Sequence, residues 1–407
     1  MKILRKQRFP SVYLIFVEKT KNVYVDTFSE GFYNLITRKK RNIKLSVILA
    51  VGGNVMAKTL NYGLIGCGSF GGSHLEALTK MEGVKITAIC DKHMKWCNDK
   101  KVRYGLTDAV CYDDYEKMLA EMKFDIVTVA TSDKAHAGAT IAALKAGNNV
   151  LCEKPMALFL EECKDMIKAQ EESGKVLMVG QVCRFTPAFI KAKEMVDAGV
   201  IGDLYYVESE YAHDYALIPG VDNWRVDKDR EPIIGGACHA IDLLRWIAGN
   251  PTETMAYSNH KVLTDWPVND TTVAIMKFPN DVIGKVFTSV GCKREYTMRT
   301  VLYGTKGTIV VDNTTPYITL TLEKSTTDGH FADGYFGKGS EREIRHLIKV
   351  SLNNHNVAEE HKIMREAVLE GKPVMMTGRE GAATVAVCRA VVEAAATGKA
   401  VKIEYDF

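Results

Sequence analysis

Residues 61–72 read Asn-Tyr-Gly-Leu-Ile-Gly-Cys-Gly-Ser-Phe-Gly-Gly, and this stretch constrains the chain more than any other. An apolar run ends at Ile65. The loop Gly66-Cys67-Gly68-Ser69-Phe70-Gly71 then leads into Ser73–Leu78, which reads as the opening of a helix. A strand turning tightly into a helix leaves unpaired backbone N–H groups and a positive dipole end aimed at one point, which suits a pyrophosphate. Gly66 allows the turn, Gly68 the approach of the phosphate, and Gly71 the packing of helix on strand. With 32 glycines in 407 residues the hexapeptide alone is a weak signal. Its context strengthens it, because Val84–Cys90 reads as a second strand ending at Asp91, 25 positions after Gly66. An acid at that place takes the adenine ribose hydroxyls and repels the extra phosphate of NADP. The expected cofactor is therefore NAD, with Lys92 a neighbouring cation that softens the discrimination against NADP.

Beyond Asp91, helical and strand-like stretches alternate. Met94–Arg103, Tyr115–Met122, Ala135–Ala146 and Leu158–Glu172 read as helices; Ala109–Tyr112, Phe124–Ala130, Asn149–Cys152 and Val176–Gly180 read as strands. Alternation of this kind implies right-handed crossovers and a doubly wound parallel sheet, here over residues 58–181. From Gln181 the pattern changes. After a helix at Pro187–Ala198 come seven β-rich stretches between Leu204 and Leu322, with hairpin signals at Phe278–Asp281 and Gly304–Gly307. The expected fold class is thus α/β: a Rossmann sheet followed, over residues 182–407, by an α+β domain with a large, mostly antiparallel sheet. Residues 325–340 read as a loop, Glu341–Glu370 as helical with a possible break, and Gly381–Ala396 as a helix.

Residues 1–57 form a leader of different character. Residues 1–55 hold eleven Lys and Arg against three acids, a balance of +8, so the formal charge of +3 leaves −5 for the remainder. The folded body therefore gives no reason to expect nucleic acid as a partner. The Gly52-Gly53-Asn54-Val55-Met56 run is compatible with a ribosome-binding sequence ahead of a start codon, and translation is expected to begin at Met56. No apolar run reaches the ~18 residues that span a bilayer. The ten cysteines are scattered without a Cys-x-x-Cys pair, which points to buried thiols in a reducing, cytoplasmic setting and to no metal site.

Three further stretches narrow the reading: Val150-Leu151-Cys152-Glu153-Lys154-Pro155, Gly180-Gln181-Val182-Cys183-Arg184-Phe185, and Gly235-Gly236-Ala237-Cys238-His239-Ala240-Ile241-Asp242. With the glycine loop, they resemble the glucose–fructose oxidoreductase / inositol dehydrogenase / rhizopine-catabolism (Gfo/Idh/MocA) family over nearly all of residues 58–407. The resemblance implies an NAD(P)-dependent oxidoreductase whose second domain carries the substrate and often the homodimer or homotetramer interface. It makes Lys154 the catalytic lysine and His239 the general acid/base. It also sets Glu153 and Thr131 beside the cofactor, with Ser132 where the family carries proline. A histidine with a pKa near ~6.5 accepts and returns a hydroxyl proton near neutrality, and a lysine ammonium stabilises developing negative charge on oxygen.

Many members carry an aspartate four residues before this histidine, where this chain has Gly235. Asp242 follows His239 by three residues, in reach of orienting the imidazole or of a structural role. Arg184, Trp224 and Arg225 fall in stretches that line the family's substrate cleft, with Tyr211, His213 and Asp214 as weaker candidates. The leading expectation is a dehydrogenase acting on a secondary alcohol of a sugar, cyclitol or polyol. The alternatives are a glycosidase or lyase that oxidises the sugar transiently with no net redox change, and a cofactor-binding regulator without turnover.

Overall fold

The computed structural model describes residues 2–9, 12–18, 58–218, 220–323, 343–351 and 355–407. The basic cluster at 38–41, Met56, the loop at 325–340 and the start of the tail helix at Glu341 lie outside the described residues. In the leader, β1 (Lys2–Phe9) pairs antiparallel with β2 (Val12–Glu18), within a unit separate from Thr59–Phe407.

The second unit begins with a six-stranded parallel sheet. Its strands are β3 (Leu60–Ile65), β4 (Val84–Cys90), β5 (Val110–Tyr112), β6 (Ile126–Val129), β7 (Asn149–Glu153) and β8 (Leu177–Gly180), in spatial order β5-β4-β3-β6-β7-β8. The order reverses between β3 and β6, so the carboxyl ends of these two strands border the crevice where such sheets take ligands. Helices α1 (Ser69–Thr79), α2 (Met94–Arg103), α3 (Tyr115–Glu121), α4 (His136–Lys145) and α5 (Leu160–Ser173) form the crossovers. Strand β6 is buried along its whole length, as a strand covered on both faces must be.

After α6 (Pro187–Asp197) comes β9 (Leu204–Ala212). Two helices, α7 (Pro232–Gly235) and α8 (Cys238–Ala248), precede β10 (Glu253–Asn259), β11 (Thr271–Lys277), β12 (Ile283–Ser289), β13 (Thr297–Gly304), β14 (Gly307–Asp312) and β15 (Tyr317–Glu323). Strand β16 (Glu343–Lys349), helices α9 (Val357–Glu370) and α10 (Gly378–Thr397), and β17 (Val401–Lys402) complete the chain. These strands make one nine-stranded sheet, β16-β15-β14-β13-β9-β12-β11-β10-β17, antiparallel except where β12 meets β9. The hairpin between β11 and β12 turns on Asn280 and Asp281, both at positive φ, which these short polar side chains tolerate best. One face of the sheet packs on α6, α8 and α10. The other presents Met255, Tyr257, Val273, Ile275 and Ile283 to solvent.

One expectation changes. Residues 343–349 are a strand and not the start of the tail helix: Ile348 pairs with Ile318 across the sheet, and that non-local ladder outweighs local helix propensity. The tail also returns to the first sheet. Met364 of α9 and Met376 lie in the core beneath β3, and Ala382 and Val385 of α10 pack with β7 and β8.

Candidate active site

The glycine loop is built as its sequence requires. Gly66 has φ 102°, and a Cβ there would press on the backbone of Ala130 and Thr131 at the end of β6, 2.7 Å from the Thr131 nitrogen. A Cβ on Gly71 would overlap the Gly66 carbonyl. Gly68 differs: a Cβ would meet nothing within 4 Å, and α1 starts there with no side-chain cap. The loop thus leaves a cradle over uncapped N–H groups, with Ser69 exposed and Phe70 half-buried at its rim. The Asp91 carboxylate accepts hydrogen bonds from Cys67 N (2.8 Å) and His93 N (2.9 Å), which ties the loop to the end of β4 and leaves acceptor capacity for a ribose. Lys92 is held by Asp222 at 2.9 Å. Thr131 lies directly beyond β6, beside Gly66. These residues fit a dinucleotide: the loop would offer its N–H groups to a pyrophosphate and Asp91 its carboxylate to a ribose.

Lys154 follows β7 and His239 stands in the first turn of α8, 2% exposed. Burial opposes the Lys154 ammonium, but the groups at Cys238, Tyr215, Asp133 and Glu153 outweigh it and hold its pKa above the usual lysine value. Burial, then the charges of Lys154 and His355, hold the His239 imidazole well below its ordinary 6.5. Its Nδ1 has no hydrogen-bond partner among the described residues. A charged lysine and a neutral histidine can respectively steady a developing alkoxide and accept the alcohol's proton.

Behind Lys154 lies a buried polar cluster. Glu153 Oε1 is 2.9 Å from His74 Nε2, Glu153 Oε2 accepts from Lys154 N at 3.2 Å, and His74 Nδ1 is 3.0 Å from His361 Nε2. Among the described residues, neither Glu360 oxygen has a hydrogen-bond partner, and both are buried. Burial, then the charge of Glu153, hold the Glu360 carboxyl well above the usual carboxylate range. Donor atoms of His74, Glu153 and Glu360 lie within 4.8 Å of one another, near enough to hold a cation. The short His74–Glu153 contact already engages one Glu153 oxygen, and burial disfavours a charged Glu360.

Arg184 and Asp242 belong to a buried ion-pair network. Both are turned inward: Arg184 Nε and Nη2 donate to Asp242 at 2.7 and 2.8 Å, and Arg184 also reaches Glu380 at 3.0 Å. Thr384 Oγ1 donates to Asp242 at 2.9 Å, and Arg245 lies 3.5 Å away. Asp242, fully buried, spends its charge on this network and does not orient His239. The Asp214 carboxylate caps Ala216 N and pairs with Lys293.

Gly235 also has a physical reason. A Cβ there would run into the guanidinium of Arg230, which donates to the Gly235 carbonyl at 3.1 Å and to Asp133 at 2.6 Å. The arginine fills the space a side chain at 235 would need. Two guanidinium groups lie over Trp224, Arg225 at 4.2 Å and Arg230 at 4.8 Å from its ring. An aromatic wall completes the region. The Tyr211 and Tyr215 hydroxyls are 2.8 Å apart, His213 packs 5.3 Å from Tyr215 and 5.0 Å from Tyr296, and Tyr296 stacks on His355 at 5.9 Å.

His355, Arg230 and Glu360 were not found from sequence. Only Glu360 left a signal there, as an acid on the buried stripe Val357, His361, Met364 of α9.

Comparison with known proteins agrees with this architecture. Residues 60–181 match the GFO_IDH_MocA family, described as an oxidoreductase family with an NAD-binding Rossmann fold, and residues 189–310 match the GFO/IDH/MocA C-terminal domain. Inositol 2-dehydrogenase 2 of Saccharopolyspora erythraea is 28% identical over 85% of this chain and 96% of its own. Myo-inositol 2-dehydrogenase of Thermotoga maritima is 26% identical over 85% and 99%. The crystal structure of levoglucosan dehydrogenase with NADH and L-sorbose superposes with a TM-score of 0.74 at 23% identity, over 85% of this chain and 99% of that one. Among the described residues, no helix is long and apolar enough to cross a membrane.

Proposed function

This chain belongs to the GFO/IDH/MocA family of NAD-binding oxidoreductases, and from that premise we propose that it is a dehydrogenase acting on a secondary alcohol of a sugar, cyclitol or polyol. Gly68 and Asp91 would hold NAD, which when bound would accept the hydride that leaves the carbinol carbon. His239, neutral in its buried site, takes the hydroxyl proton, and the carbon–oxygen bond becomes a carbonyl. Lys154 remains charged and steadies the oxygen as negative charge develops. The products are one carbonyl compound, one NADH and one proton, and reduction runs the same steps backwards.

What supports this reading is the placement of Lys154 at the end of β7 and of His239 in the first turn of α8, buried and with no hydrogen-bond partner for its Nδ1 among the described residues. The inositol dehydrogenases among its relatives supply the substrate class. The test is a panel of inositols, hexoses, amino sugars and glycosides against NAD and NADP. NADH accumulating in step with a carbonyl product is the expected result; release of free sugar from glycosides with no net NADH would establish the glycosidase instead. We further propose a homodimer or homotetramer formed through the open face of the nine-stranded sheet, where Tyr257 is 70% and Ile275 56% exposed. Ten cysteines without a disulfide support a cytoplasmic setting.

A further inference from the structure

The rim of the nucleotide cradle holds a long-range contact that neither the glycine loop nor the reaction requires. Directly after Asp91 come two nitrogen-bearing side chains, and both reach one oxygen far along the chain. Lys92 Nζ donates to Asp222 Oδ2 at 2.9 Å, and His93 Nε2 lies 3.1 Å from that same oxygen. His93 is itself tied to the acid before it, because its backbone N–H donates to Asp91 Oδ1 at 2.9 Å. Asp222 belongs to the connection between β9 and α7. With Asn223 it stands at positive φ, 55° and 53°, which Asp and Asn tolerate best among side-chain-bearing residues. Asn223 N donates to the Gly220 carbonyl at 3.1 Å and Val226 N to the Asn223 carbonyl at 2.7 Å, so the turn that delivers Asp222 is fixed from within.

These contacts are not what anchors the connection. Arg230 meets Asp133 at 2.6 Å with both side chains buried, and Lys134 meets Asp227 at 2.7 Å and Asp229 at 3.3 Å. Lys92 and Asp222 are exposed, and exposed pairs contribute little to folding stability. Their place beside the ribose acid gives them another role. NADP differs from NAD by a phosphate on the ribose that such an acid holds, and a cation near the acid is what accommodates that phosphate. Lys92 and His93 stand where that cation is needed. We propose that Asp222 is a specificity-determining residue for the cofactor: it occupies Lys92 and His93 and adds a carboxylate to the rim, so the 2′-phosphate of NADP finds repulsion in place of partners. Selection of this kind works against the competitor and adds no contact to NAD. Asp91 selects from the nucleotide domain, and Asp222 reinforces it from the chain that leads into the second. The inference rests on the dinucleotide reading of the glycine loop and leaves the reaction unchanged.

The experiment titrates the full-length protein with NADH and with NADPH, following nicotinamide fluorescence at low salt. It compares wild type, Asp222→Asn, Lys92→Met and the double variant. The quantity read is the ratio of the NADPH Kd to the NADH Kd. Asp222→Asn should lower that ratio about fivefold, through tighter NADPH binding, and the gain should shrink as salt is added. Adding Lys92→Met to Asp222→Asn should remove most of the gain, because the freed ammonium is then gone. Lys92→Met alone should move the ratio by less than about twofold, since Asp222 already holds that group. A ratio unchanged in Asp222→Asn overturns the proposal. So does an equal weakening of both nucleotides, which would make the contact a latch that retains either cofactor. Should Asp222→Asn fail to fold, Lys92→Met decides: a severalfold rise in the ratio would show that Lys92 already serves NADPH in the wild type, and would overturn the proposal. Wild-type protein that binds neither nucleotide overturns the dinucleotide reading and this inference with it, whereas NADH binding with unaltered selectivity overturns this inference alone.

Discussion

The three glycines of the nucleotide loop should respond differently to the same added methyl group, and the structure sets the sizes. At Gly68 the backbone has φ −66° and ψ −162°, open to any L-residue, and a Cβ meets nothing within 4 Å. Gly68→Ala should therefore leave folding stability within about 0.5 kcal/mol, or raise it slightly by restricting the unfolded chain. The same methyl occupies the cradle over the first N–H groups of α1. Displacing a phosphate from charge-assisted hydrogen bonds costs roughly 1.5–3 kcal/mol each, so NADH affinity should fall by about tenfold or more. At Gly66 the order inverts: φ 102° and a Cβ pressed against the Ala130 and Thr131 backbone make Gly66→Ala destabilising by about 2 kcal/mol or more. Thermal melts without nucleotide read the first quantity, and titration of NADH fluorescence the second. A Gly68→Ala protein that binds NADH as tightly as wild type, or that melts as early as Gly66→Ala, would refute the assignment of the cradle.

Other consequences are as specific. Arg184→Met removes one partner of a fully buried aspartate that keeps Thr384 and Arg245, so the loss should sit near ~3 kcal/mol, the lower end for broken buried pairs; it is read from urea unfolding, and a change below about 1 kcal/mol would show the pair is not structural. Glu360 tests a pH dependence. Its folded pKa is raised, so its contribution is full below the unfolded value of ~4.3 and is lost as pH rises toward the folded value, at about 1.4 kcal/mol per unit. Glu360→Gln should therefore raise the melting temperature at pH 7 and confer nothing near pH 4; equal effects at both pH values would contradict a protonated Glu360. Charging the open sheet face with Tyr257→Glu and Ile275→Glu should lower the oligomeric mass in light scattering while NADH binding persists, and an unchanged mass would remove that face from the interface.

What could be read from sequence follows the range of the interactions. The loop at Gly66–Gly71, the strand ending at Asp91 and the turn at Asn280-Asp281 are local, and their residue types are dictated by backbone geometry within a few positions. The alternation of strands and helices likewise fixed the parallel sheet, because each element carries its own period. Ion pairs across the fold are another matter. Arg230 meets Asp133 across 97 positions and Arg184 meets Asp242 across 58, and nothing near either arginine announces its partner. Gly235 looked like a missing acid for the same reason; only the folded chain reveals a guanidinium in its place. The strand at Glu343–Lys349 was misread as helix because its pairing with Tyr317–Glu323 is visible only in the sheet.

The central claim is that His239 is the proton acceptor for hydride transfer beside a charged Lys154. It is tested most directly by the kcat of His239→Asn on the best substrate of the panel, measured beside NADH affinity. The account predicts a fall in kcat of about a hundredfold or more, with NADH bound as in wild type. It also predicts a wild-type acid limb in kcat/KM well below pH 6.5, because the imidazole stays neutral until the pH drops past its lowered pKa. A His239→Asn enzyme that keeps its kcat, with the same acid limb, would contradict it.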